Sequence, residues 1–319
     1  MRFFIQKNKE SAMFTDKNKR STMFIDGKEL PVFKASLHNH STSSDGLLPA
    51  ADLARLYRDA GFDVFAISDH GVANDVSGID IPGMTVLSGI ELHPAGPRGI
   101  LWHILALGVP GDFPGTGHKD GKAAADAARE VGAVIYVPHP CWTGLHTEEI
   151  LELGPVQGIE IYNSGSRLLG RGLSDEIWDQ MLDAGCRPCQ AIATDDCHLW
   201  DSFALGWTMI AAPDRSPAAL HDALRNGRCY ASEGPEFHSI QLSDGYFSAT
   251  FTEAVSAVVV SNRGLGYCAR MPGAPIPGFE PPPVTSLDVD VSHWPKGNYV
   301  RCQIADAKGR RAWSQPYFL

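Results

Sequence analysis

The sequence lacks the features of a membrane protein and of a protein that binds duplex nucleic acid. No run in its 319 residues approaches the roughly 18 consecutive apolar residues of a membrane span. A net charge of -10 leaves no excess of Lys and Arg for a broad phosphate-binding surface. The first thirty residues never form the apolar stretch of a secretory signal. We therefore expect a cytoplasmic protein that acts on a small molecule or, at most, on an oligonucleotide end.

Cysteine is too scattered for a disulfide framework or a zinc ribbon. The seven cysteines include one C-x-x-C pair, Cys186 and Cys189, and no second pair that would complete a four-thiolate site. Neither architecture is expected.

The pattern of the chain changes twice. Residues 1–32 contain a short echo, F-x-x-K-N-K-x-S-x-M, and are expected to form a short hairpin extension. From 33 to 234, strand-like runs alternate with helical stretches, which is typical of βα units and predicts an α/β barrel of seven or eight strands. Residues 235–319 alternate at period two around a Pro-rich stretch, which predicts a small β-sandwich-like domain.

The elements of the predicted barrel follow from these runs. Strands are expected at 33–38, 63–68, 84–91, 100–108, 133–139, 158–163, 189–195 and 204–210, and helices at 49–61, 121–132, 173–185 and 216–227. Ser174 and Ser216 are the expected N-caps of the last two helices. Trp102, Trp142 and Trp200 are expected to pack in the core; the alternative is that they stack on a base or an aromatic leaving group.

Histidines and carboxylates recur where the predicted strands end. They are His38 and His40, then Asp69 and His70, then Glu91, His139, Asp195, Asp196 and His198. A single His at a strand end is more often structural, but coincidence at five strand ends is not expected. The carboxyl ends of barrel strands meet on one face, so these side chains should converge there. Imidazoles and carboxylates suit Zn, Mn or Fe(II), and His38 and His40 share one side of an extended segment.

An ordered series of short motifs carries a family resemblance. The segments are LHNHSTSSDG, AISDHG, SGIE, WHILALG, VPHP, GIEIYN and ATDDCH, from about residue 36 to 199. Together they resemble the PHP superfamily, the polymerase and histidinol phosphatase metal-dependent phosphoesterases. The tail from residue 226 onward further resembles the carbaryl-hydrolase-like branch of that superfamily. The resemblance implies a distorted seven-stranded, TIM-like barrel with up to three metal ions.

The resemblance also implies a ligand set on the matching positions. One ion would be held by His38, His40, Glu91 and Asp196; a second by Glu91, His103 and His139; a third by Asp45, His70 and His198. His103 is the least secure of these, because it lies inside a strand-like run. By the same resemblance, a hydroxide that bridges two ions is the nucleophile toward phosphorus. Asp45 and His70 are candidates to assist the leaving group.

Other polar residues are candidates for supporting roles. Asn163 is expected either to orient a ligand or to cap a strand, and the direction of Glu160 does not follow from the pattern. Asp69 and Asp195 are expected to hold their loops or a neighbouring His. Arg167 could clamp a substrate phosphate, and Arg171 is the alternative residue for that role. The remaining histidines, His93 among them, have no motif support.

Three functions remain open at the level of sequence. The first is a phosphoesterase for a phosphomonoester, a nucleotide phosphodiester or an oligonucleotide end, with two to three divalent ions (Zn, Mn or Fe). The second is a carbamate or carboxyl-ester hydrolase on the same centre, and the third is a non-catalytic metal-binding or assembly module. A dinuclear amidohydrolase bridged by a carbamylated Lys is disfavoured, because no Lys occurs between Lys122 and Lys296.

Overall fold

A computed structural model describes residues 21–198, 200–273 and 282–319. Residues 1–20, which contain most of the internal echo of the N-terminal segment, lie outside these ranges. No helix in the described part of the chain is long and apolar enough to cross a membrane.

Helices and strands alternate through the first two thirds of the described chain. The α-helices in the described ranges are Ala50–Asp59 (α1), Gly121–Glu130 (α2), Pro140–Thr143 (α3), Thr147–Glu152 (α4), Ser164–Arg167 (α5), Asp175–Asp183 (α6) and Pro217–Arg225 (α7). The strands over the same part are Thr22–Ile25 (β1), Lys28–Ser36 (β2), Val64–Ile67 (β3), Thr85–Leu92 (β4), Ile104–Leu107 (β5), Val134–Val137 (β6), Gly158–Asn163 (β7), Gln190–Thr194 (β8), Trp207–Ala211 (β9) and Cys229–Ser232 (β10).

Only strands follow β10 within residues 233–273 and 282–319. They are Phe237–Ser243 (β11), Tyr246–Ala254 (β12), Ser256–Ser261 (β13), Gly266–Arg270 (β14), Val284–Asp290 (β15), Tyr299–Ala305 (β16), Arg311–Ser314 (β17) and Tyr317–Phe318 (β18). The expected change from alternating helices and strands to strands alone is confirmed for these residues.

Of the two serines predicted as helix N-caps, one forms the capping hydrogen bond. The Ser216 hydroxyl accepts a hydrogen bond from the Ala219 N–H and caps α7 as expected. Ser174 occupies the N-cap position of α6 without a capping bond, because its hydroxyl accepts the Cys141 N–H instead. This bond joins the start of α6 to α3.

The site-bearing strands form a mixed sheet rather than a wholly parallel one. Strands β2, β3 and β4 run parallel, as do β6, β7 and β8, whereas β5 runs antiparallel to both β4 and β6. The reason lies in the connection between β4 and β5, which contains one 3₁₀ turn and no crossover α-helix. The amino end of β5 therefore lies beside the carboxyl end of β4, where Ile104 pairs with Leu92.

The ends of this run of strands approach one another without a backbone ladder. Strand β9 pairs antiparallel with β2 and β10, and β8 pairs with β7, but within the described residues no register joins β8 to β9. Instead, the Thr208 hydroxyl donates to the Ala193 carbonyl and accepts from its N–H. The closed barrel predicted from the sequence therefore stays a prediction, and the observed architecture is a mixed α/β sheet. Apolar side chains of β2 to β6, β8 and β9 pack into one buried cluster beneath the polar strand ends.

The C-terminal strands continue the same hydrogen-bonded system. Strand β10 pairs with β9 on one side and with β17 on the other, and β1 pairs with β11. Strands β11, β12 and β15 and strands β13, β16 and β17 contribute to a second apolar cluster. The strand pairing therefore does not set residues 235–319 apart as a separate domain. The three-part division of the chain stays a prediction.

Candidate metal centre

The nine predicted ligands lie together on the face formed by the carboxyl ends of the parallel strands. His38 and His40 follow β2, His70 follows β3, Glu91 is the penultimate residue of β4, His139 follows β6, and Asp196 and His198 follow β8. His103 immediately precedes β5, whereas the sequence predicted a strand over 100–108 that would have included it. Because β5 is antiparallel, its amino end reaches the same face as the carboxyl ends of its neighbours. This reversal explains how His103 joins the cluster.

Glu91 is at the middle of the cluster. Its Oε1 lies 2.7 Å from His103 Nδ1 and 3.3 Å from His139 Nε2. Its other oxygen, Oε2, lies 2.9 Å from His70 Nδ1 and 3.3 Å from His38 Nε2. One fully buried carboxylate thus faces imidazoles on both of its oxygens, which is the arrangement required of a bridging ligand.

Asp196 brings the first two histidines together. Its Oδ1 lies 3.0 Å from His40 Nε2 and 3.5 Å from His38 Nε2, and the two imidazole nitrogens are 3.1 Å apart. Asp196 has a φ of 50° and His139 one of 32°, in the left-handed region that non-glycine residues rarely adopt. Such local strain is common at functional sites, where the surrounding structure fixes it.

A third group is more open. Asp45 Oδ1 lies 3.2 Å from His198 Nε2 and 3.5 Å from His70 Nε2, and His40 is close enough to complete the group. The Asp45 side chain is 57% exposed, whereas those of His38, His40 and Glu91 are fully buried. The cluster is therefore closed at its base and open on the side of Asp45.

The unpaired polar atoms of the cluster fit bound cations. Among the described residues, four buried atoms here lack a hydrogen-bond partner: His40 Nδ1, His70 Nδ1, Glu91 Oε2 and Asp196 Oδ1. His70 Nδ1 and Glu91 Oε2 approach to 2.9 Å without the geometry of a hydrogen bond. Buried polar atoms are rarely left unpaired, and a shared cation would satisfy imidazole nitrogens and carboxylate oxygens together.

The electrostatics of the cluster also favour positive charge. Burial lowers the pKa of His38, but the carboxylates of Asp196, Glu160 and Glu91 outweigh it and raise that pKa well above its usual value. Burial likewise raises the pKa of Glu91, yet the facing imidazoles hold it well below the usual range. The Glu91 carboxylate is therefore held in its ionised form, which is the form that can bind a cation.

Glu160 supports the cluster from beneath. Its fully buried carboxylate accepts a hydrogen bond from His38 Nδ1 at 2.7 Å and from the His139 N–H at 3.0 Å. Thr194 and Asn163 also donate to it, each at 2.7 Å. With Nδ1 of His38 donating to Glu160, its Nε2 is left to face the cluster. Glu160 is thus a positioning residue, a role that the sequence pattern did not specify.

Asn163 contacts the cluster and caps helix α5, not a strand. Its side-chain oxygen accepts the Ser166 N–H and caps α5, while its Nδ2 donates to Glu160 and, at 3.2 Å, to Asp196 Oδ2. One amide therefore joins the start of α5 to the cluster.

The other two candidate carboxylates hold loops. Asp69 accepts hydrogen bonds from the Ser41 N–H and from the hydroxyls of Ser41 and Ser44, which fixes the loop that carries Asp45. Asp195 accepts from the Tyr57 hydroxyl and from three successive backbone N–H groups at residues 204–206. Burial raises the pKa of Asp195 to about 6.

One histidine in the cluster had no motif support. His93 Nε2 lies 3.0 Å from His103 Nδ1 and 3.6 Å from Glu91 Oε1, and His93 forms a group of possible ligands with His70 and Glu91. A signal for it was present in the sequence, because Glu91 and His93 are two apart on an extended segment and share a side, as His38 and His40 do.

A cavity of about 450 Å³ opens onto the cluster. His70, His103, His139, Asp45, Asp196 and His198 line one part of it, and Trp142, Leu168 and Leu169 line another. Arg167 is not among the lining residues: its exposed guanidinium lies 3.4 Å from the Asp201 carbonyl. Its predicted role as a phosphate clamp gains no support from this position. Of the three tryptophans expected in the core, Trp102 is buried, but Trp142 and Trp200 are partly exposed.

Comparison with known proteins identifies the fold. No protein-family model and no curated protein sequence matches the chain at a significant level. A solved two-domain protein from Bacteroides vulgatus, described as containing a predicted PHP-like metal-dependent phosphoesterase, matches 94% of this chain and 98% of its own, with a TM-score of 0.53 and 19% identity. At this identity the likeness establishes the fold and not the activity.

Two further solved structures overlap smaller parts of the chain. One is a putative metal-dependent phosphoesterase from Bifidobacterium adolescentis, with a TM-score of 0.41, 15% identity and coverage of 52% of this chain and 87% of its own. The other is the lesion-specific endonuclease EndoQ from Pyrococcus furiosus, with a TM-score of 0.46, 14% identity and coverage of 61% and 56%. From the full-length match, the resemblance to the PHP metal-dependent phosphoesterases that the ordered motifs indicated is confirmed at the level of the fold.

Proposed function

We propose that this protein is a metal-dependent hydrolase that cleaves a phosphoester at a centre of two to three divalent ions. The observation that carries the proposal is the set of four buried, unpaired ligand atoms around Glu91 and Asp196. Seven imidazoles and three carboxylates converge there from the ends of six strands and the loop that carries Asp45, and a purely structural role does not require that chemistry. The PHP-like fold supports the proposal by analogy alone.

The ligand sets proposed for the ions follow the distances. His38, His40 and Asp196 would hold one ion together with Glu91 Oε2, Glu91 Oε1 with His103 and His139 would hold a second, and Asp45 with His70 and His198 a third. Bound divalent ions would supply positive charge to the phosphoryl oxygens and lower the pKa of a coordinated water. Zn, Mn and Fe(II) all suit this mixture of nitrogen and oxygen donors.

The protein residues orient this chemistry. Glu160 accepts a hydrogen bond from the Nδ1–H of His38, and the Thr143 hydroxyl lies 3.1 Å from His139 Nδ1. Both imidazoles therefore present Nε2 to the centre. Asp45 and His70 line the open side of the cavity, where a leaving group would depart. A group on that side is placed to donate a proton to the departing oxygen.

A second candidate, hydrolysis of a carbamate or carboxyl ester on the same centre, is favoured by one observation. Within the described residues, neither Lys nor Arg lines the cavity. A dianionic phosphomonoester would therefore find no side-chain cation apart from protonated histidine, whereas a phosphodiester or a neutral ester needs none. A cytoplasmic location, a closed barrel and a distinct β domain remain predictions.

A substrate panel on metal-loaded protein tests the proposal. Protein reconstituted separately with Mn, Fe(II) and Zn would be assayed with p-nitrophenyl phosphate, bis-p-nitrophenyl phosphate, nucleotides and naphthyl carbamates. We expect turnover of at least one phosphoester, abolished in His38→Ala and retained in His293→Ala, an exposed histidine outside the cluster. Turnover of carbamates alone would select the second candidate. No turnover of any compound by protein that holds two or more ions would contradict both.

A further inference from the structure

The cavity has an apolar wall beside the ligand cluster. We propose that this wall, defined as Trp142, Leu168 and Leu169, binds an aromatic or comparably apolar group of the substrate. The inference rests on the proposed function and narrows its substrate class to aryl esters or esters with a bulky apolar substituent. Sugar phosphates and simple alkyl phosphates would lack the group that the wall recognises.

Trp142 is held in place at the edge of the cluster. It lies in α3, three residues after His139, and its ring meets the rings of His139 and His103 edge to face, with centroids 5.1 and 5.5 Å away. Even so, 38% of the residue stays exposed, and it lines the cavity. An aromatic face fixed beside ligand residues and open to the cavity is suited to contact a planar group of a bound molecule.

The two leucines are presented by a built turn. Leu168 and Leu169 directly follow α5, and their N–H groups donate to the carbonyls of Gly165 and Ser166. The Gly170 and Arg171 N–H groups close the same turn onto Arg167 and Ser166. Leu168 is 48% exposed and Leu169 70%, although both side chains are aliphatic. Apolar surface that is held open beside a concave site marks a binding surface more often than does a single scattered leucine.

Selectivity at this wall has to come from apolar contact. Arg167, which lies between Ser166 and Leu168 in the chain, is absent from the cavity lining, and its guanidinium lies near the Asp201 carbonyl. The polar members of this side of the cavity are the small residues Ser166 and Ser202. The wall therefore offers van der Waals contact and no charge to the part of the substrate that extends away from the ions.

A pair of non-hydrolysable probes separates this inference from reactivity. Phenylphosphonate and methylphosphonate carry the same anionic group and differ in the apolar substituent, so the pKa of a leaving group cannot influence the result. Their binding to metal-loaded protein would be measured by titration calorimetry, with metal content determined for every sample. We expect the phenyl compound to bind about tenfold or more tightly, the gain typical of burying one ring.

Variants of the wall assign the preference to its residues. Trp142→Ala and Leu169→Ser should each lower the ratio of phenyl to methyl affinity several-fold toward one. Leu169→Ser is the safer variant, because Trp142 packs on the rings of two predicted ligands and Leu169 is 70% exposed. The matched control is Leu151→Ser, an exposed leucine on α4 outside the cavity, which should leave the ratio unchanged.

The outcomes distinguish the inference from the proposed function. Equal binding of the two phosphonates would overturn the inference, and so would an affinity ratio that both wall variants leave unchanged. In either case phosphoester turnover in the substrate panel would still support the proposed function. Absence of binding by either probe also overturns the inference. Absence of binding together with absence of phosphoester turnover counts against the proposed function itself.

Discussion

At the scale of single residues, the centre depends on carboxylates that no Lys or Arg of the described ranges neutralises. Glu91 and Asp196 are surrounded by imidazoles, and Glu160 fixes the orientation of His38 from the opposite side. The ligand types at strand ends were predictable from the sequence, because H-x-H and D-D-x-H patterns identify paired donors. The role of Glu160 was not, because the inward or outward direction of a residue in a buried strand depends on the neighbouring strands.

Glu160→Gln is expected to weaken metal binding about 10- to 100-fold, because the amide no longer holds the Nδ1 proton of His38 by a charge-assisted hydrogen bond. A competition titration with a chelating dye measures the affinity. Glu152→Gln, an exposed residue at the end of α4, is the control and should bind metal as the parent protein does. An unchanged affinity in Glu160→Gln would exclude the positioning role.

At the scale of elements, the loop between β2 and α1 brings Asp45 to the open side of the cluster. The Gly46 N–H donates to the Ser41 carbonyl, and Asp69 holds Ser41 and Ser44. A Cβ at Gly46 would lie 2.0 Å from the His40 carbonyl oxygen, so only glycine fits there. The Asp-Gly turn was visible in the sequence, but this close approach was not, because it depends on the path of the backbone.

Gly46→Ala should therefore displace the loop and remove the ion assigned to Asp45, His70 and His198. Elemental analysis is expected to show about one ion fewer per chain, with the ions at Glu91 retained. Gly78→Ala is the matched control, because a Cβ at Gly78 meets nothing within 4 Å. The contradicting result is full metal content in Gly46→Ala while replacement of Asp45 removes an ion. The third ion would then not depend on the close approach of Gly46 to the His40 carbonyl.

The reversed strand β5 shows where reading from the sequence fails at this scale. A continuous apolar run predicted a strand over 100–108, and the strand itself was found at Ile104–Leu107. Its direction was not predictable from hydrophobicity, because periodicity does not encode the orientation of a strand relative to its neighbours. His103 therefore looked misplaced, although the reversal of β5 brings it 2.7 Å from Glu91.

At the scale of the whole molecule, the C-terminal strands complete the part of the fold that carries the site. Where β8 and β9 lack a backbone ladder, the Gln315 side chain accepts from the Ala191 N–H at 2.9 Å and donates to the Ala191 carbonyl at 2.7 Å. Gln315 lies just after β17 and is buried. The sequence suggested a separate domain here because its pattern changes, but a change of pattern does not show whether two parts share hydrogen bonds.

Gln315→Leu leaves both backbone groups of Ala191 without this partner, so we expect a loss of about 2 kcal/mol or more in the free energy of unfolding. Denaturant unfolding followed by circular dichroism measures the change. Gln241→Leu, a half-buried glutamine on β11, is the control, with an expected change within about 0.5 kcal/mol. A loss in Gln315→Leu no larger than in the control would indicate that the C-terminal strands do not support β8 through this contact.

The central claim, that Glu91 and its neighbours hold metal ions, is tested most directly by anomalous X-ray diffraction from crystals grown with Mn or Zn. The account predicts two or three anomalous peaks enclosed by His38, His40, Glu91, Asp196 and the other ligands of the cluster, with Glu91 in contact with two of them. A metal-loaded crystal without a peak at Glu91, or with its peaks outside the cluster, would contradict it.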